Sequence, residues 1–497
     1  MAKKEINKVL LIYPPTKVAK HSHRPCVPPL GILSIAAVLR DNNFDVIVLD
    51  ATLEGYDHIE PEGDSLIWYG LSMQDIEKRI KEINPDAVGI SCPFSASFTA
   101  VRKICKIVKS IDKDIITITG GTHPSFLSEK CLIEVPELDY IIIGEGDYTI
   151  NELLMKLNKN KKITDIDGLA YRDDGKIWMK PKTQFIEDLD DLPLPARDLV
   201  PIEKYISINS PHGITSKKDI NMSVMTSRGC PFFCVFCSSA GFWGRKYRMR
   251  SVDDILDEIE MLVKRYGAKE IQFLDDNLTL NKERALKLFQ GMIDRKLDIV
   301  WNTPNGIAIW TLDEDMLKLM KRSGCYALTL AIESGDQYVL DRIIRKPLKL
   351  EQVKEVVRLT KKLDIQTHAF FLVGFPGETL EQVERTFKFA RDLDLDTASF
   401  NIPQPLPGSE LDKQVRESKC LKENFDYENI AYLLASYDTE YFRGKDLERK
   451  VAKEFLKFNL SLSYRHPVRF MQKFGFFALK NPSTSLKFLF GFLQKSK

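Results

Sequence analysis

The chain of 497 residues is long enough for about two to four domains, and its 72 basic and 70 acidic side chains leave a net charge of only +2. This balance gives no reason to expect a nucleic-acid partner, and no apolar run reaches the roughly 18 residues of a membrane span. The first residues lead directly into a strand-like segment instead of a signal peptide, and the nine cysteines are largely scattered singly, so we predict a cytoplasmic protein.

Residues from about 8 to 150 alternate apolar strand-like runs with amphipathic helices, the pattern of a parallel sheet covered on both faces. The predicted strands are residues 9–13, 45–49, 87–91, 115–119 and 140–143, and the predicted helices are 30–42, 73–83, 96–111 and 129–135. This order predicts a doubly wound, Rossmann-like domain over residues 1–150. Its ligand should bind outside the carboxyl ends of the strands.

Two loops at those ends contain closely spaced glycines, which let a backbone approach a ligand. They are Gly120-Gly121-Thr122-His123 and Gly144-Glu145-Gly146. These residues alone are also compatible with a flavodoxin-like domain that binds another nucleotide or nothing. Asp50 and Glu145 could equally be helix caps or acceptors of backbone hydrogen bonds.

Residues 151–219 are predicted to connect two domains. Residues 165–180 have the pattern of a hairpin that turns at Asp173-Asp174-Gly175-Lys176. The prolines within residues 189–198 favour an extended linker.

The segment Cys230-Pro-Phe-Phe-Cys234-Val-Phe-Cys237 places three thiols within eight residues. Thiolates are soft ligands that suit iron–sulfur clusters and zinc. A structural zinc site normally has four ligands, and the chain has no second closely spaced pair, so the spacing favours a cluster over zinc or a disulfide. Phe232, Phe233 and Phe236 would keep water off such a cluster.

Residues 220–407 again alternate strands with helices, which predicts a (β/α)6 partial barrel. The expected strands are residues 222–226, 271–274, 300–303, 327–332, 367–373 and 398–402. Three polar groups follow these strands directly: Asp275-Asp276, Glu333-Ser334-Gly335 and the loop from Gly374 to Thr379. In parallel barrels that is the face where chemistry takes place.

Each polar group also has a purely structural interpretation. Asp275 and Asp276 could only shape the turn into a helix that begins near Lys282. Glu333 could pair with Arg342 or Arg345. The basic stretches at 217–218, 245–250 and 345–346 are most simply solvated surfaces, although Arg248 and Arg250 follow the cysteine loop closely enough to reach an anionic group.

The three-cysteine motif and the order of these loops resemble the radical SAM superfamily. In that family a [4Fe–4S] cluster held by three cysteines binds S-adenosylmethionine (SAM) at its open iron and cleaves it to a 5′-deoxyadenosyl radical. The resemblance implies that Cys230, Cys234 and Cys237 hold the cluster. It also implies that Asp275 and Asp276 lie near the methionyl amine, that Glu333 and Ser334 reach the ribose or carboxylate, and that Gly374 and Gly377 approach the adenine.

The N-terminal loops resemble the cobalamin-binding domain that precedes many radical SAM barrels. The resemblance implies that Gly120, Gly121, Thr122, His123, Gly144, Glu145 and Gly146 help to line the slot for the nucleotide tail of cobalamin. The D-x-H-x-x-G motif of other cobalamin proteins is absent after the first strand. This departure implies a cobalt without a histidine ligand from the protein, because His21 and His23 have the wrong spacing.

Residues 408–497 are predicted to form a helical C-terminal region. The part from residue 455 onward is basic and aromatic, and Glu454 is its last preceding acidic residue. This composition is typical of a segment that lies on an anionic membrane surface or covers a hydrophobic substrate. A helix that packs on the barrel would show the same amphipathicity.

Together these resemblances imply a cobalamin-dependent radical SAM enzyme, most simply a methyltransferase that acts on an unactivated carbon of a small-molecule or lipid-like substrate. Such an enzyme needs an external electron donor. A cobalamin-assisted cyclase or coupling enzyme shares every motif and is the first alternative. A non-catalytic cobalamin or Fe–S sensor is the second, and an RNA methylthiolase would normally bring a further cysteine triad, which is absent.

Overall fold

The structure is a computed structural model that describes residues 5–467 except residues 21, 65, 214, 215, 431 and 466. The chain forms two compact units. The N-terminal unit comprises the chain up to Pro231 together with Ser238–Glu270 and Asp426–Asn429. The C-terminal unit comprises Phe232–Cys237, Ile271–Phe425 and the described residues from Ile430 onward.

The N-terminal unit contains thirteen strands and ten α-helices within the described residues. The strands are β1 Lys8–Tyr13, β2 Thr16–Ala19, β3 Asp45–Asp50, β4 Ile59–Glu62, β5 Leu66–Tyr69, β6 Ala87–Ser91, β7 Ile116–Gly120, β8 Tyr140–Ile142, β9 Leu169–Asp173, β10 Lys176–Lys180, β11 Asn221–Val224, β12 Ser227–Arg228 and β13 Arg248–Met249. The helices are α1 Leu30–Asp41, α2 Ala51–Glu54, α3 Met73–Ile83, α4 Phe98–Ile111, α5 Thr122–Phe126, α6 Ser128–Glu134, α7 Asp147–Asn158, α8 Ile202–Ile208, α9 Ser239–Trp243 and α10 Val252–Tyr266.

The main sheet of this unit has the order β10-β9-β8-β7-β6-β1-β3. The five predicted strands are all present and pair in parallel, as expected for apolar runs buried on both faces. Helix α4 packs on the sheet through Phe98, Val101 and Cys105, which lie three or four positions apart and are fully buried. The doubly wound fold is therefore confirmed.

The predicted hairpin is present as β9 and β10, with Asp174 and Gly175 both at positive φ in its turn. It extends the main sheet, because β9 pairs antiparallel with β8. A second sheet of three antiparallel strands, β2-β5-β4, was not predicted.

The C-terminal unit contains five strands and six α-helices within the described residues. The strands are β14 Glu270–Phe273, β15 Val300–Ile307, β16 Cys325–Glu333, β17 Gln366–Leu372 and β18 Thr397–Asn401. The helices are α11 Lys282–Asp294, α12 Glu314–Arg322, α13 Leu350–Lys362, α14 Leu380–Asp392, α15 Glu410–Glu417 and α16 Gly444–Arg465.

These five strands lie side by side in sequence order, and β15 to β18 pair in parallel. With β11, all six strands predicted for the barrel are present. Phe371 and Phe400 stack on one face of the sheet, where Phe387 of α14 and Phe458 of α16 contact Phe400. Helices α14 and α16 therefore cover the outer face, and the loops that carry the candidate site residues follow the carboxyl ends of the strands.

Among the described helices, none combines the length and the apolar composition needed to cross a bilayer. Helix α16 includes the first part of the basic aromatic region predicted from residue 455 onward. Almost all of the rest of that region lies outside the described residues. The prediction that it lies on a membrane surface or covers a hydrophobic substrate concerns those residues.

Candidate functional site

The cysteine loop runs from Cys230 to Cys237 and is anchored at both its start and its middle. Gly229 precedes it at φ +88°, and a Cβ there would lie 2.2 Å from the Lys246 carbonyl oxygen, so only glycine fits. In the middle, Val235 donates its backbone N–H to Ile344 (3.1 Å) and accepts from the backbone N–H of Leu411 (2.8 Å). The loop therefore has a fixed backbone path.

The three loop thiols are accessible, whereas most other thiols are not. Cys230 and Cys234 are half-buried and Cys237 is exposed, and none of the nine cysteines, all within the described residues, forms a disulfide. Five others are buried, and burial raises the pKa of each of them: Cys26, Cys92, Cys105, Cys131 and Cys325. Because the thiolate is the ligand and burial opposes it, the loop thiols fit a soft metal best.

Within the described residues, no three histidine, cysteine, aspartate or glutamate side chains converge as a ligand set for a metal ion. The assignment of the cluster to Cys230, Cys234 and Cys237 thus stays a prediction. Two of the loop aromatics pack in the C-terminal unit: Phe232 on Trp310 and Phe236 on Phe375, with ring centroids 5.0 and 6.1 Å apart.

The predicted acidic groups after the strands differ in burial. Asp275 is buried and Asp276 is exposed. Glu333 is buried at the end of β16 with φ +68°, and its partner is Lys346, whose Nζ lies 2.9 Å from Oε1. The predicted pairing of Glu333 with Arg342 or Arg345 is wrong, because a lysine after the π-helix Val339–Ile344 reaches the carboxylate first.

Ser334 and the two loop glycines also have defined neighbours. Ser334 is fully buried, its hydroxyl lies 3.0 Å from that of Thr386, and it accepts the backbone N–H of Asp336. Gly374 has φ +102°, and a Cβ there would lie 2.2 Å from Leu447 of α16. Gly377 has φ +81° and open space where a Cβ would be. Of these residues, Gly377 fits a close approach by a flat ring.

The glycine loops of the N-terminal unit are tied to one another. A Cβ on Gly121, at φ +121°, would lie 2.1 Å from the Cys92 carbonyl oxygen, and Thr122 donates its hydroxyl to Pro93 (2.5 Å). Ser125 donates to the Gly121 carbonyl (2.6 Å) and accepts the Gly144 N–H (2.9 Å). Ser125 thus joins the two glycine loops, and Gly121 allows the close approach of the loop at Cys92 and Pro93.

His123 is the polar side chain of this group that lacks a full set of partners. Its ring is buried between Phe98 (4.6 Å between centroids) and Tyr427 (6.3 Å), and its Nδ1 has no hydrogen-bond partner. Burial lowers the pKa of His123 to about 4. A polar group of a ligand bound at these loops would supply the hydrogen-bond partner that Nδ1 of His123 lacks. The two glycine loops therefore fit a ligand with such a group.

We expect His123 to make folding stability depend on pH. The folded-state pKa lies below the unfolded value, so its contribution is complete above about pH 6.5 and is lost as the pH falls toward 4, by up to roughly 3 kcal/mol. His123→Phe keeps an aromatic ring at this position and removes the group that titrates. Denaturant unfolding between pH 7 and pH 4.5 should show the free energy of the wild type falling relative to that of the variant, and parallel curves would contradict the prediction.

Glu145 and Asp147 form a buried ion-pair network with two arginines. Glu145 accepts from Arg248 (2.8 Å) and Arg228 (3.0 Å), and Asp147 accepts from Arg228 (2.8 Å) and from the Ser34 hydroxyl (2.6 Å). These contacts hold the pKa of Asp147 below its usual range. Glu145 also accepts the backbone N–H of Ile186 (3.0 Å), which is one of its two predicted structural roles, whereas its ion pairs were not predicted.

The basic stretches are not all solvated surfaces, and that prediction is wrong for Arg248, Arg250 and Lys346, which are buried. Arg248 binds Glu145, and Arg250 binds Glu258 and Asp254. Their anionic partners belong to the protein itself. Asp50 is confirmed as a helix cap, since it accepts the Leu53 N–H at the start of α2.

Sequence reasoning missed a clasp, Asp426–Asn429, which comes late in the chain but belongs to the N-terminal unit. Glu428 accepts from the Thr99 hydroxyl and from Arg102, and the Lys17 ammonium lies 3.3 Å from Asn429 Oδ1. Tyr427 covers His123. No local pattern signals these contacts, because the partners are more than 300 positions away in the sequence.

Glu428→Ala should lower the free energy needed to open residues 426–429 locally by about 1 kcal/mol. This is the net value of one hydrogen-bonded, partly exposed ion pair. Hydrogen exchange of the amides in 426–429 should then become roughly fivefold faster. Glu423→Ala, at an exposed position in the same region, is the control and should leave the exchange rates unchanged.

Comparisons with known proteins identify two family matches along the chain. Residues 224–390 match the radical SAM superfamily and residues 16–154 match the B12 binding domain. The chain is 36% identical to cytidylyl-2-hydroxyethylphosphonate methyltransferase of Streptomyces wedmorensis over 84% of this chain and 82% of that protein. It is 34% identical to an uncharacterized methyltransferase of Pyrococcus horikoshii over 92% of this chain and 93% of the relative.

Among solved structures, the chain is similar to the radical SAM methyltransferase TsrM of Kitasatospora setae with tryptophan and a SAM analogue bound. The TM-score is 0.68 at 18% identity, over 86% of this chain and 80% of that one. At this identity the likeness shows the fold alone.

Proposed function

The chain belongs to the family of cobalamin-dependent radical SAM enzymes, and from this premise we propose that it transfers a methyl group to a carbon atom of a small-molecule substrate. The observation that carries the proposal is the extent of the similarity. A methyltransferase is 36% identical to this chain, and the match covers 84% of this chain and 82% of that protein. The cofactors of the family are a [4Fe–4S] cluster, SAM and cobalamin.

We assign the cluster to Cys230, Cys234 and Cys237 in a radical SAM domain over residues 220–407. SAM is assigned to Asp275, Asp276, Glu333, Ser334, Gly374 and Gly377. Cobalamin is assigned to the loops at 120–123 and 144–146 in a domain over residues 1–150, with residues 151–219 as the connection and 408–497 as the C-terminal region. When bound, these cofactors supply the electron, the 5′-deoxyadenosyl radical and the methyl group, and the protein supplies their positions.

The protein's own residues fix the site before any ligand arrives. The anchored backbone of Val235 sets the path of the cysteine loop. Lys346 holds the Glu333 carboxylate, so this oxygen-rich end of β16 is oriented to accept hydrogen bonds. Gly377 leaves room beside the loop that follows β17. Such preorganisation is the contribution that a protein makes to radical chemistry.

The balanced equation for this methyl transfer gives the number of SAM molecules and electrons that the reaction consumes. One substrate C–H bond is broken and one C–CH3 bond is formed. Two SAM molecules are consumed, one to 5′-deoxyadenosine and methionine and one to S-adenosylhomocysteine, and an external donor provides two electrons. The lipid-like substrate, the contact with a membrane surface and the cytoplasmic location remain proposals that rest on composition.

Anaerobic reconstitution with iron, sulfide and hydroxocobalamin, followed by SAM and a strong reductant, tests the proposal. We expect both 5′-deoxyadenosine and S-adenosylhomocysteine by mass spectrometry. Deoxyadenosine without S-adenosylhomocysteine would indicate cyclisation or coupling instead. Neither product from protein with an intact cluster would refute the enzyme assignment.

A further inference from the structure

The loop that follows β17 is closed by its own glutamate. Glu378 folds back so that Oε2 accepts the backbone N–H groups of Gly374 (2.6 Å) and Phe375 (3.0 Å). The Glu378 N–H in turn donates to the Phe375 carbonyl (3.0 Å). A charged acceptor makes stronger hydrogen bonds than a neutral one, so the ionised form of Glu378 holds this turn most firmly.

The chain after α15 holds the same loop from its other side. Tyr437, which is buried, donates its hydroxyl to the Gly374 carbonyl (3.0 Å). Leu447 of α16 fills the space beside Gly374. The peptide groups around Gly374 are therefore held between a carboxylate and a phenol.

Glu378 has no counter-charge to match its burial. Its side chain is fully buried, and Oε1 has no hydrogen-bond partner. The titratable groups that face it are Asp336, which is itself paired with Arg385, and Tyr437. Burial, and to a smaller extent Asp336, raises the pKa of Glu378 to about 7, against the lowering effect of the two backbone N–H groups. The carboxyl group thus changes charge near neutral pH.

The remaining side of the loop is available to a ligand. Gly377 has open space where a side chain would be, and the Phe375 ring packs on Phe236 of the cysteine loop. The proposed function places SAM at these two loops. SAM carries a sulfonium cation, which favours an ionised carboxylate in its surroundings.

We propose that Glu378 is a positioning residue for SAM: its ionised carboxylate holds loop 374–379 in the shape that binds the cofactor, so affinity for SAM falls as Glu378 takes up a proton. This inference rests on the proposed function, which assigns the loop to SAM. Glu378 acts through the backbone of Gly374 and Phe375.

Equilibrium dialysis of SAM against the anaerobic holoenzyme, without reductant, tests the inference at pH 6 and pH 8. Because Glu378 is half-protonated near pH 7, the fraction of protein with an ionised Glu378 is about tenfold lower at pH 6 than at pH 8. The affinity for SAM should fall by the same factor. Glu378→Gln places an uncharged oxygen beside the two N–H groups and does not titrate, so this variant should bind SAM at both pH values about as weakly as the wild type does at pH 6. The amine of SAM titrates equally in both proteins and cancels in the comparison.

Glu381→Gln is the matched control, because Glu381 is exposed at the start of the following helix and should leave the tenfold change intact. Tyr437→Phe is a second probe that retains the ring. It should raise the dissociation constant for SAM about two- to tenfold at both pH values, the effect of one hydrogen bond.

Equal pH dependence in the wild type and Glu378→Gln would overturn the inference alone. Unchanged SAM affinity in Tyr437→Phe would also overturn the inference. This second test can be made even if Glu378→Gln fails to fold. If wild-type protein with an intact cluster binds no SAM at all, the proposed function fails and this inference fails with it.

Discussion

Cys234→Ser will abolish cluster assembly while leaving the fold intact. Oxygen is a harder ligand than the thiolate that iron–sulfur clusters require, and Cys234 is accessible, so the substitution removes the proposed ligand without opening a core cavity. Formation of 5′-deoxyadenosine should drop by more than about 100-fold, since even the loss of a supporting partner costs 10- to 100-fold at metal sites. Iron content, visible absorption and product mass measure the effect.

Cys420→Ser is the control for this prediction. Cys420 is also partly accessible but lies outside the loop, so the variant should keep full iron content and activity. A cluster that assembles normally in Cys234→Ser would mean that another group replaces the thiol. The assignment of the three cysteines would then be wrong.

Glu145→Ala will strongly destabilise the N-terminal unit. Arg248 and Arg228 have side chains only 1% and 11% exposed, and removing Glu145 leaves Arg248 without its carboxylate partner. Breaking a buried pair in this way costs about 3–5 kcal/mol, because a buried charge loses its compensation. For a unit of this size the loss lowers the melting temperature by roughly 6–20 °C, measurable by calorimetry.

Glu152→Ala removes an exposed carboxylate of α7 that pairs with Lys156, and it should change stability by less than about 0.5 kcal/mol. Cobalamin retention during gel filtration separates the roles of Glu145. If Glu145→Ala keeps its melting temperature but loses cobalamin, then Glu145 acts on the ligand and the ion pairs are dispensable.

The parallel sheets could be predicted because their strands are short apolar runs. Strands β1 and β6 are buried along almost their whole length and were located to within one residue. Of the six predicted barrel strands, β14, β17 and β18 also agree to within one residue, whereas β11, β15 and β16 differ by two to four residues at one end. Parallel strands covered on both faces have this signature, which does not depend on distant residues.

The small sheet β2-β5-β4 could not be predicted in the same way. Strand β4 is Ile-Glu-Pro-Glu, with a proline and two acids, and its residues are mostly exposed. Strand β4 pairs with β5 because the fold places the two side by side. It is an edge strand, and edge strands tolerate proline and charged residues.

Buried charges were the main source of error in the site. Arg248 looks like a surface residue in a basic stretch, and its partner Glu145 is 103 positions away. Glu378 was not recognised because its partners are backbone N–H groups, which have no sequence signal. Long-range ion pairs and backbone contacts depend on tertiary structure, whereas the cysteine spacing does not.

The clasp Asp426–Asn429 has a consequence for the order in which the protein is made. Thr99 leaves the ribosome 329 residues ahead of Glu428, the acid that accepts its hydroxyl. Until residues 426–429 are synthesised, the nascent N-terminal unit lacks the contacts of the clasp, and making them closes a very long loop. The part of the chain that is synthesised first is thus among the last to be completed.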